Sequence, residues 1–253
     1  MHLAVNLVPG TLERECSLFG SAPFTYVVVD ILRASTVICT ALNNGAESVI
    51  PVGDVESARA LRGPGEIPHA LLCGERGGRK LEGFDLGNSP AEYTRDKIAG
   101  KILIFASTNG SVALAAAPAN TTVLVGGLVN LGALIRSLKQ LDQPILIACA
   151  GKEEGFSLED AVGAGAIIGR LWEIDPELEL INDGARAAQI LWDQYKSNPT
   201  MALWQSRHGV YLIEIGFGAD LSICAAVDSV PIVPVLRSGR LVADGGAEVG
   251  GRD

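Results

Sequence analysis

The amino-acid sequence predicts an α/β fold: a mostly parallel sheet with flanking helices, read as two α/β lobes. Three observations carry that prediction. Short apolar runs alternate with helical segments from Tyr26 to Leu171. Acids, arginines, hydroxyls and glycines gather just after those runs, where open parallel sheets place their ligands. Hydrophobic residues make up 48% of 253 residues and charged residues 19%, enough for a large core and too apolar for a disordered chain.

The elements follow in order. Tyr26–Asp30 (YVVVD) is an apolar strand ending in a carboxylate, Ala34–Asn44 a helix closed by Asn44-Gly45, and Ser48–Val52 a second strand. Ala70–Cys73 is a short strand. Ser89-Pro90, an N-cap with proline at the first helical position, opens a helix toward Ala99. Lys101–Ala106 reads as a strand, Ser111–Ala117 as a helix, Thr122–Val125 as a strand, Leu131–Leu141 as a helix and Ile145–Cys149 as a strand. Ser157 caps a helix through Leu171. Beyond about residue 175 the rhythm changes: Asp183–Tyr195 and Thr200–Arg207 look helical, and Ile223–Val227 and Ile232–Val235 look like strands. The glycine-rich end, GGAEVGGRD, reads as a frayed tail. Residues 1–253 are taken as one unit, since no linker or composition shift marks a boundary between the two lobes.

Charge and cysteine usage narrow the function. A formal net charge of −9 argues against a nucleic-acid binder, which needs a basic face. It leaves room for a small anionic ligand, because local arginines or a bound cation can reverse the field. No charged segment followed by an apolar core marks a secretory signal in Met1–Gly10. Residues Ile102–Ile135 carry no charge, but the polar STNGS turn, Pro118 and Asn120-Thr121-Thr122 break the run below the ~18 apolar residues a membrane span needs. The five cysteines stand singly, with no C-x-x-C pair, so neither a zinc site nor a disulfide framework is indicated, and a cytoplasmic setting is expected.

Several strand ends carry candidate chemistry. In Ser107-Thr108-Asn109-Gly110-Ser111, backbone amides freed at a helix start can cradle an anion, although a plain turn with a capping serine has the same composition. Ser157–Asp160 (SLED) has capping-box spacing; Glu159 and Asp160 are also candidate metal-site acids. Asp30 ends an apolar strand, where a lone carboxylate is costly unless paired or bound to a cation, and Arg33 is its natural partner. His208 in SRHG is a candidate acid or base. Cys73–Arg79 fits the C-x5-R spacing of a cysteine-dependent phosphate loop. However, Glu75 would aim a negative charge into that cradle, and no helix follows Arg79. VLVGGLVNLG does not match a dinucleotide fingerprint.

Taken together, VVVDILRASTVICTALNNGAESVIPV, CGERGGRKLEGFDLGNSP, STNGS, ACAG with FSLEDAVGAG, and SRHG followed by Gly218-Ala219-Asp220-Leu221 resemble the 2-phosphosulfolactate phosphatases, the magnesium-dependent phosphatases of coenzyme M biosynthesis. The resemblance spans roughly residues 25 to 235 and implies Mg²⁺-dependent hydrolysis of (R)-2-phospho-3-sulfolactate to 3-sulfolactate and phosphate. Chemistry then suggests the roles. Asp30, Glu75 and Asp160 are expected to hold Mg²⁺, which takes oxygen ligands and keeps several waters. Arg33, Thr108 and the Asn109-Gly110 amides face the phosphoryl group, Arg76 and Arg79 the other anionic groups, and Asp30, Arg33 and His208 are the catalytic set. The rival readings are a Mg²⁺-dependent hydrolase or phosphotransferase for another small anionic phosphate ester, and a non-enzymatic anion-binding module.

Overall fold

The computed structural model describes residues 1–63, 67–119 and 121–244. The GGAEVGGRD end, expected as a frayed tail, lies outside the described residues. The strands are β1 (His2–Asn6), β2 (Thr25–Val29), β3 (Ser48–Val52), β4 (Leu71–Arg76), β5 (Arg79–Lys80), β6 (Ile102–Ala106), β7 (Thr122–Gly126), β8 (Ile145–Cys149), β9 (Glu179–Leu180), β10 (Pro234–Arg237) and β11 (Arg240–Ala243). The helices are α1 (Leu12–Cys16), α2 (Ala34–Asn43), α3 (Val55–Leu61), α4 (Arg95–Ile98), α5 (Gly110–Ala115), α6 (Leu131–Leu141), α7 (Leu158–Ile174), α8 (Asp183–Tyr195), α9 (Pro199–Gln205), α10 (Arg207–Glu214) and α11 (Gly218–Cys224).

The strand order is β5-β4-β6-β3-β11-β10-β7-β2-β8-β1-β9. Strands β4, β6 and β3 form one parallel block, and β7, β2, β8, β1 and β9 another. The antiparallel hairpin β10–β11 bridges them. The α/β class and mostly parallel sheet are as the sequence predicts. The two parallel blocks belong to one continuous sheet.

That sheet is strongly curled. Four strands lie between β6 and β2, so a flat sheet would hold them about 24 Å apart at ~4.8 Å per spacing. Yet the Tyr26 hydroxyl on β2 donates to the Ala113 carbonyl in α5, directly after β6 (3.2 Å). The two blocks wrap around α2, whose residues are buried at eight of ten positions. Val37, Ile38 and Leu42 of α2 share one core with Val28, Val49, Phe105 and Val125 from four different strands. On the outer face, Leu134 of α6 and Ile167 and Leu171 of α7 cover Leu3, Val27 and Ile147. A smaller cluster, Ala58, Leu72, Phe84 and Ile104, seals the β4 side. Curling brings the carboxyl ends of β2, β4, β6 and β8 to one opening, and that places the site.

Some elements differ from expectation. The segment after Ser89-Pro90 is a 3-10 turn at Pro90–Glu92 followed by the separate α4. Tyr93 interrupts it by turning into the core, where its hydroxyl donates to the Gly87 carbonyl (2.7 Å). Ile223–Val227, expected as a strand, is the end of α11 and the residues after it. Short apolar runs do not separate the two states, and here Leu221 and Cys224 bury one helical face. The sequence reading does not include β1, five residues long like β2, or β11; Ser238 and Gly239, both at positive φ, close the hairpin turn between β10 and β11.

Candidate active site

Asp30 sits one residue beyond β2 and is 5% exposed. Its Oδ1 accepts the Ala34 amide at the start of α2 (3.3 Å), and its own amide donates to Ser35 Oγ (2.9 Å). Its other oxygen faces Gly110: a Cβ there would stand 2.8 Å from Oδ2 and 2.5 Å from Ala34 Cβ. Gly110 is therefore the contact that lets α5 and the Asp30 turn meet. Burial pushes the Asp30 carboxyl up to about 6; Glu75 and Glu159 add to the rise, while His208 and the Ala34 amide oppose it.

Arg33 does not pair with Asp30, contrary to expectation. Its Nη1 donates to Asp220 Oδ2 (2.7 Å), its Nη2 to the Gly78 carbonyl (2.7 Å), and its guanidinium lies 4.5 Å from the Phe217 ring centroid. Asp30 lies back against α2, whereas Arg33 reaches forward to the β4–β5 turn and α11. Asp220 also accepts the Ser89 hydroxyl (2.7 Å). Arg33 still lines the cleft, so it serves as wall and brace together.

The GERGGRK segment is largely a hairpin, β4–β5, rather than an open loop. Gly74 is required there: at φ +150, a Cβ would stand 2.0 Å from the Ala106 carbonyl oxygen. Glu75, 7% exposed, points into the cleft. Its Oε1 accepts the Thr108 amide (2.9 Å) and hydroxyl (2.8 Å), and its Oε2 accepts the Gly78 amide (2.7 Å). Arg76 and Arg79, expected to face the substrate, are exposed on the hairpin and do not line the cleft. Strand alternation explains this for Arg76: with Glu75 facing inward, its neighbour faces out.

The STNGS turn is held by its own serines. Ser107 amide donates to Ser111 Oγ (3.1 Å) and Ser111 amide to Ser107 Oγ (2.9 Å). Thr108 is committed to Glu75. Among the described residues the Asn109 and Gly110 amides have no hydrogen-bond acceptor, consistent with the orphan donors of a helix start. Ser107, Thr108 and Asn109 line the cleft; Gly110 lies behind it.

Asp160, expected as a third metal acid, does not line the cleft. Its Oδ1 accepts the Ile31 amide (2.8 Å) and its Oδ2 the Gly151 amide (3.0 Å), tying the connections after β2 and β8 together. Burial, then the neighbouring Asp30 and Glu159, hold its pKa well above the carboxylate range. Ser157 is the N-cap that the SLED spacing indicates, accepting the Asp160 amide. Glu159, 2% exposed, faces His208 at the start of α10, with Oε1 3.4 Å from Nδ1. Burial would raise Glu159, but the hydrogen bond and charge of His208 outweigh it and lower its pKa.

Asn88, Lys152 and Glu153 also line the cleft, and the sequence reading gave none of them a role. Asn88, in the LGNSP stretch, buries Oδ1 with no hydrogen-bond partner among the described residues. Lys152 follows β8 and lines the cleft together with Glu153 and His208. A second, mostly apolar hollow lies across the Thr108-Asn109 wall, lined by Leu12, Tyr26, Val112 and Ala113; among the described residues Glu154 is its sole charged lining residue. It offers an anion no counter-charge, so the chemistry belongs to the first cleft. Among the described residues, no three His, Cys, Asp or Glu side chains form a ready-made metal cage. The cleft's donor set is instead Asp30, Glu75 and the unpaired Asn88 Oδ1: two carboxylates and a carbonyl, hard oxygen ligands that suit a cation retaining several waters.

A charge-lined cleft at the carboxyl edge of a mostly parallel sheet, with buried acids facing a lysine, an arginine and a histidine, defines an α/β enzyme for small, highly charged ligands. The chain belongs to the 2-phosphosulpholactate phosphatase family, whose model matches residues 14–239. It is 41% identical over 214 residues to a probable 2-phosphosulfolactate phosphatase of Caldanaerobacter subterraneus subsp. tengcongensis, covering 84% of this chain and 88% of that one. It is 40% identical over 218 residues to the protein of the same description from Thermotoga petrophila (86% and 91% covered), and 41% over 237 residues to that from Synechococcus sp. strain CC9605 (92% and 96%). Such phosphatases are phosphoric monoester hydrolases. No helix among the described residues is long and apolar enough to cross a membrane.

Proposed function

We propose that the protein hydrolyses (R)-2-phospho-3-sulfolactate to 3-sulfolactate and phosphate, with Mg²⁺ as its cofactor. The observation that carries this reading is the mixed charge of the cleft, where Asp30, Glu75, the exposed Glu153 and the unpaired Asn88 Oδ1 line one opening with Arg33, Lys152 and His208, in a chain of this family. Asp30, Glu75 and Asn88 would hold the cation, and Asp160 is left out because it does not line the cleft. Bound there, Mg²⁺ would neutralise phosphoryl oxygens and lower the pKa of a coordinated water.

The chain's own residues supply the rest. Arg33 is pinned by Asp220 and Gly78, so it presents fixed positive charge without reorganising when substrate arrives. The free Asn109 amide adds a donor at the same opening. His208 is held through Nδ1 by Glu159, which leaves Nε2 to deliver a proton to the leaving alkoxide of sulfolactate. The substrate is small and anionic, and neither nucleic acid nor membrane is a partner. A reducing, cytoplasmic location suits five free cysteines, four of them buried.

The test is phosphate release from 2-phosphosulfolactate and from a panel of other small phosphate esters, with Mg²⁺ and with a chelator. The expected result is Mg²⁺-dependent turnover that favours the sulfonated ester. Faster turnover of another ester would reassign the substrate, and binding without turnover would make the chain an anion-binding module.

A further inference from the structure

We infer that Lys152 is the residue that recognises the sulfonate of the substrate, an inference that rests on the function proposed above. Lys152 lines the cleft, and its side chain is only 20% exposed. Among the described residues its Nζ makes no hydrogen bond. The Glu153 carboxylate stands 4.0 Å away and is 66% exposed, and it is also drawn toward Arg207 (3.9 Å). The remaining contact is with the Tyr211 ring, 5.0 Å from its centroid. The exposed Lys196, by contrast, holds Asp193 at 2.7 Å. A largely enclosed ammonium with three unspent donors beside a substrate cleft is a group prepared for an anion.

Its position is set by the backbone. Lys152 and Gly155 exchange both main-chain hydrogen bonds (3.2 and 2.9 Å) around Glu153 and Glu154, whose φ values are +51° and +61°. Two consecutive non-glycine residues in the left-handed region are uncommon and persist where surroundings over-determine them. One such constraint is Gly151, at φ +69°, where a Cβ would stand 2.3 Å from the Gly155 carbonyl and 3.0 Å from the Pro9 ring. The tight turn holds Lys152 at the cleft and sends Glu154 to the second hollow, while Glu153 stays beside the cleft at 4.0 Å from the Nζ, beyond hydrogen-bond distance.

Chemistry assigns it the sulfonate. An ammonium is a compact charge with three rotatable donors, matching three equivalent sulfonate oxygens; a planar carboxylate matches the planar fork of an arginine. Arg76 and Arg79 lie outside the cleft lining, so Lys152 and Arg33 are its cationic side chains of fixed charge among the described residues.

The experiment compares the wild-type protein with Lys152→Met and Lys152→Arg on three esters: 2-phosphosulfolactate, 2-phospholactate (no sulfonate) and 2-phosphooxyethanesulfonate (no carboxylate). Thermal melts confirm that the variants fold. In Lys152→Met, KM for both sulfonated esters is expected to rise at least about tenfold. Their kcat/KM relative to 2-phospholactate should fall by a similar factor, and Lys152→Arg should restore part of it. Calorimetric binding of 3-sulfolactate, the product, should weaken in parallel without any turnover. An active wild type whose selectivity and product affinity survive Lys152→Met overturns this inference alone, as does a loss that follows the carboxylate. A wild type inert toward sulfonated esters overturns the function and this inference with it.

Discussion

Arg33 and Asp220 form a 2.7 Å ion pair with both side chains almost fully buried, although 187 positions separate them in sequence. The pair joins the connection after β2 to α11, and through Ser89 it also secures the LGNSP stretch that presents Asn88 to the cleft. Asp220→Asn leaves the arginine charge buried without its counter-charge, which typically costs about 3–5 kcal/mol. Urea denaturation should show a loss of that order, with activity falling in the fraction that remains folded. A loss under about 1 kcal/mol would mean that water reaches Arg33 and that the pair is not a keystone.

The alternation of strands and helices was legible because most of the parallel strands are short, mainly apolar runs, and the caps at Ser157 and Asn44-Gly45 stood where their residue types indicate. The strand-end convergence was legible too: Asp30, Glu75, Thr108 and Lys152 line one opening, and His208 of α10 joins them there. Which carboxylate faces which cation was not. Asp30 and Arg33 are near neighbours in sequence and natural partners on that scale, but the curled sheet brings Asp220 to the arginine and leaves Asp30 against Gly110. Asp160 and Glu159 are adjacent on α7, so the helical turn sends one to backbone amides and the other to His208. Such choices are made mostly by tertiary contacts between segments distant in sequence, and local spacing carries no record of them.

Gly110→Ala tests the close approach of α5 to Asp30. The added methyl meets Ala34 Cβ at 2.5 Å and the Asp30 carboxylate at 2.8 Å, so the two connections must separate. Overpacking of this kind costs about 1–3 kcal/mol. Displacing a catalytic carboxylate by about 1 Å can cost about 10²-fold in rate. The expected outcome is a lower Tm together with a kcat decrease far larger than the KM change. Wild-type kinetics in a destabilised variant would show that Asp30 keeps its place regardless.

Cys73→Ala should retain activity to within a few-fold. The thiol is fully buried in the core around α2, burial pushes it up to about 12, and it does not line the cleft. The C-x5-R match to Arg79 is thus a coincidence of spacing on a strand and hairpin. The main cost should be stability, from the small cavity left behind. A loss of about 10³-fold or more in a folded variant would restore a thiolate mechanism.

Asp30 should make the metal-free protein less stable as pH rises. Its folded-state pKa of about 6 lies above the ordinary 3.8, so the folded protein holds this proton more tightly than the unfolded one. The resulting stability is complete below about pH 3.8 and is lost as pH rises through about 6. The difference amounts to about 3 kcal/mol at neutral pH. Without divalent cations, Asp30→Asn should therefore raise the urea midpoint at neutral pH and flatten its decline across that window, while abolishing hydrolysis. Added Mg²⁺ should stabilise the wild type more than the variant, since the cation takes over the neutralising role of the proton. Identical pH profiles for the two proteins would show that Asp30 is better solvated than its burial implies.

Glu75→Gln separates a brace from a ligand. Glu75 accepts three hydrogen bonds, two from Thr108 and one from Gly78, which lock the β4–β5 hairpin onto the turn after β6. The amide keeps the volume but offers one oxygen instead of two, so some bracing is lost whatever its other role. If bracing were its whole function, the variant would lose stability and its residual activity would show the parent's Mg²⁺ requirement. As a magnesium ligand beside Asp30 and Asn88, Glu75 contributes charge that glutamine cannot replace. The expected result is then an Mg²⁺ activation midpoint raised at least about tenfold and kcat/KM reduced about 10²-fold, roughly 3 kcal/mol of transition-state stabilisation. Part of that loss should return at high Mg²⁺, a recovery that no defect confined to hairpin packing would give. Titrating phosphate release against Mg²⁺ in both proteins, with urea denaturation run alongside, reads the two roles apart. An unchanged Mg²⁺ midpoint would leave Glu75 as a brace and pass the ligand role to Asp30, Asn88 and the waters between them.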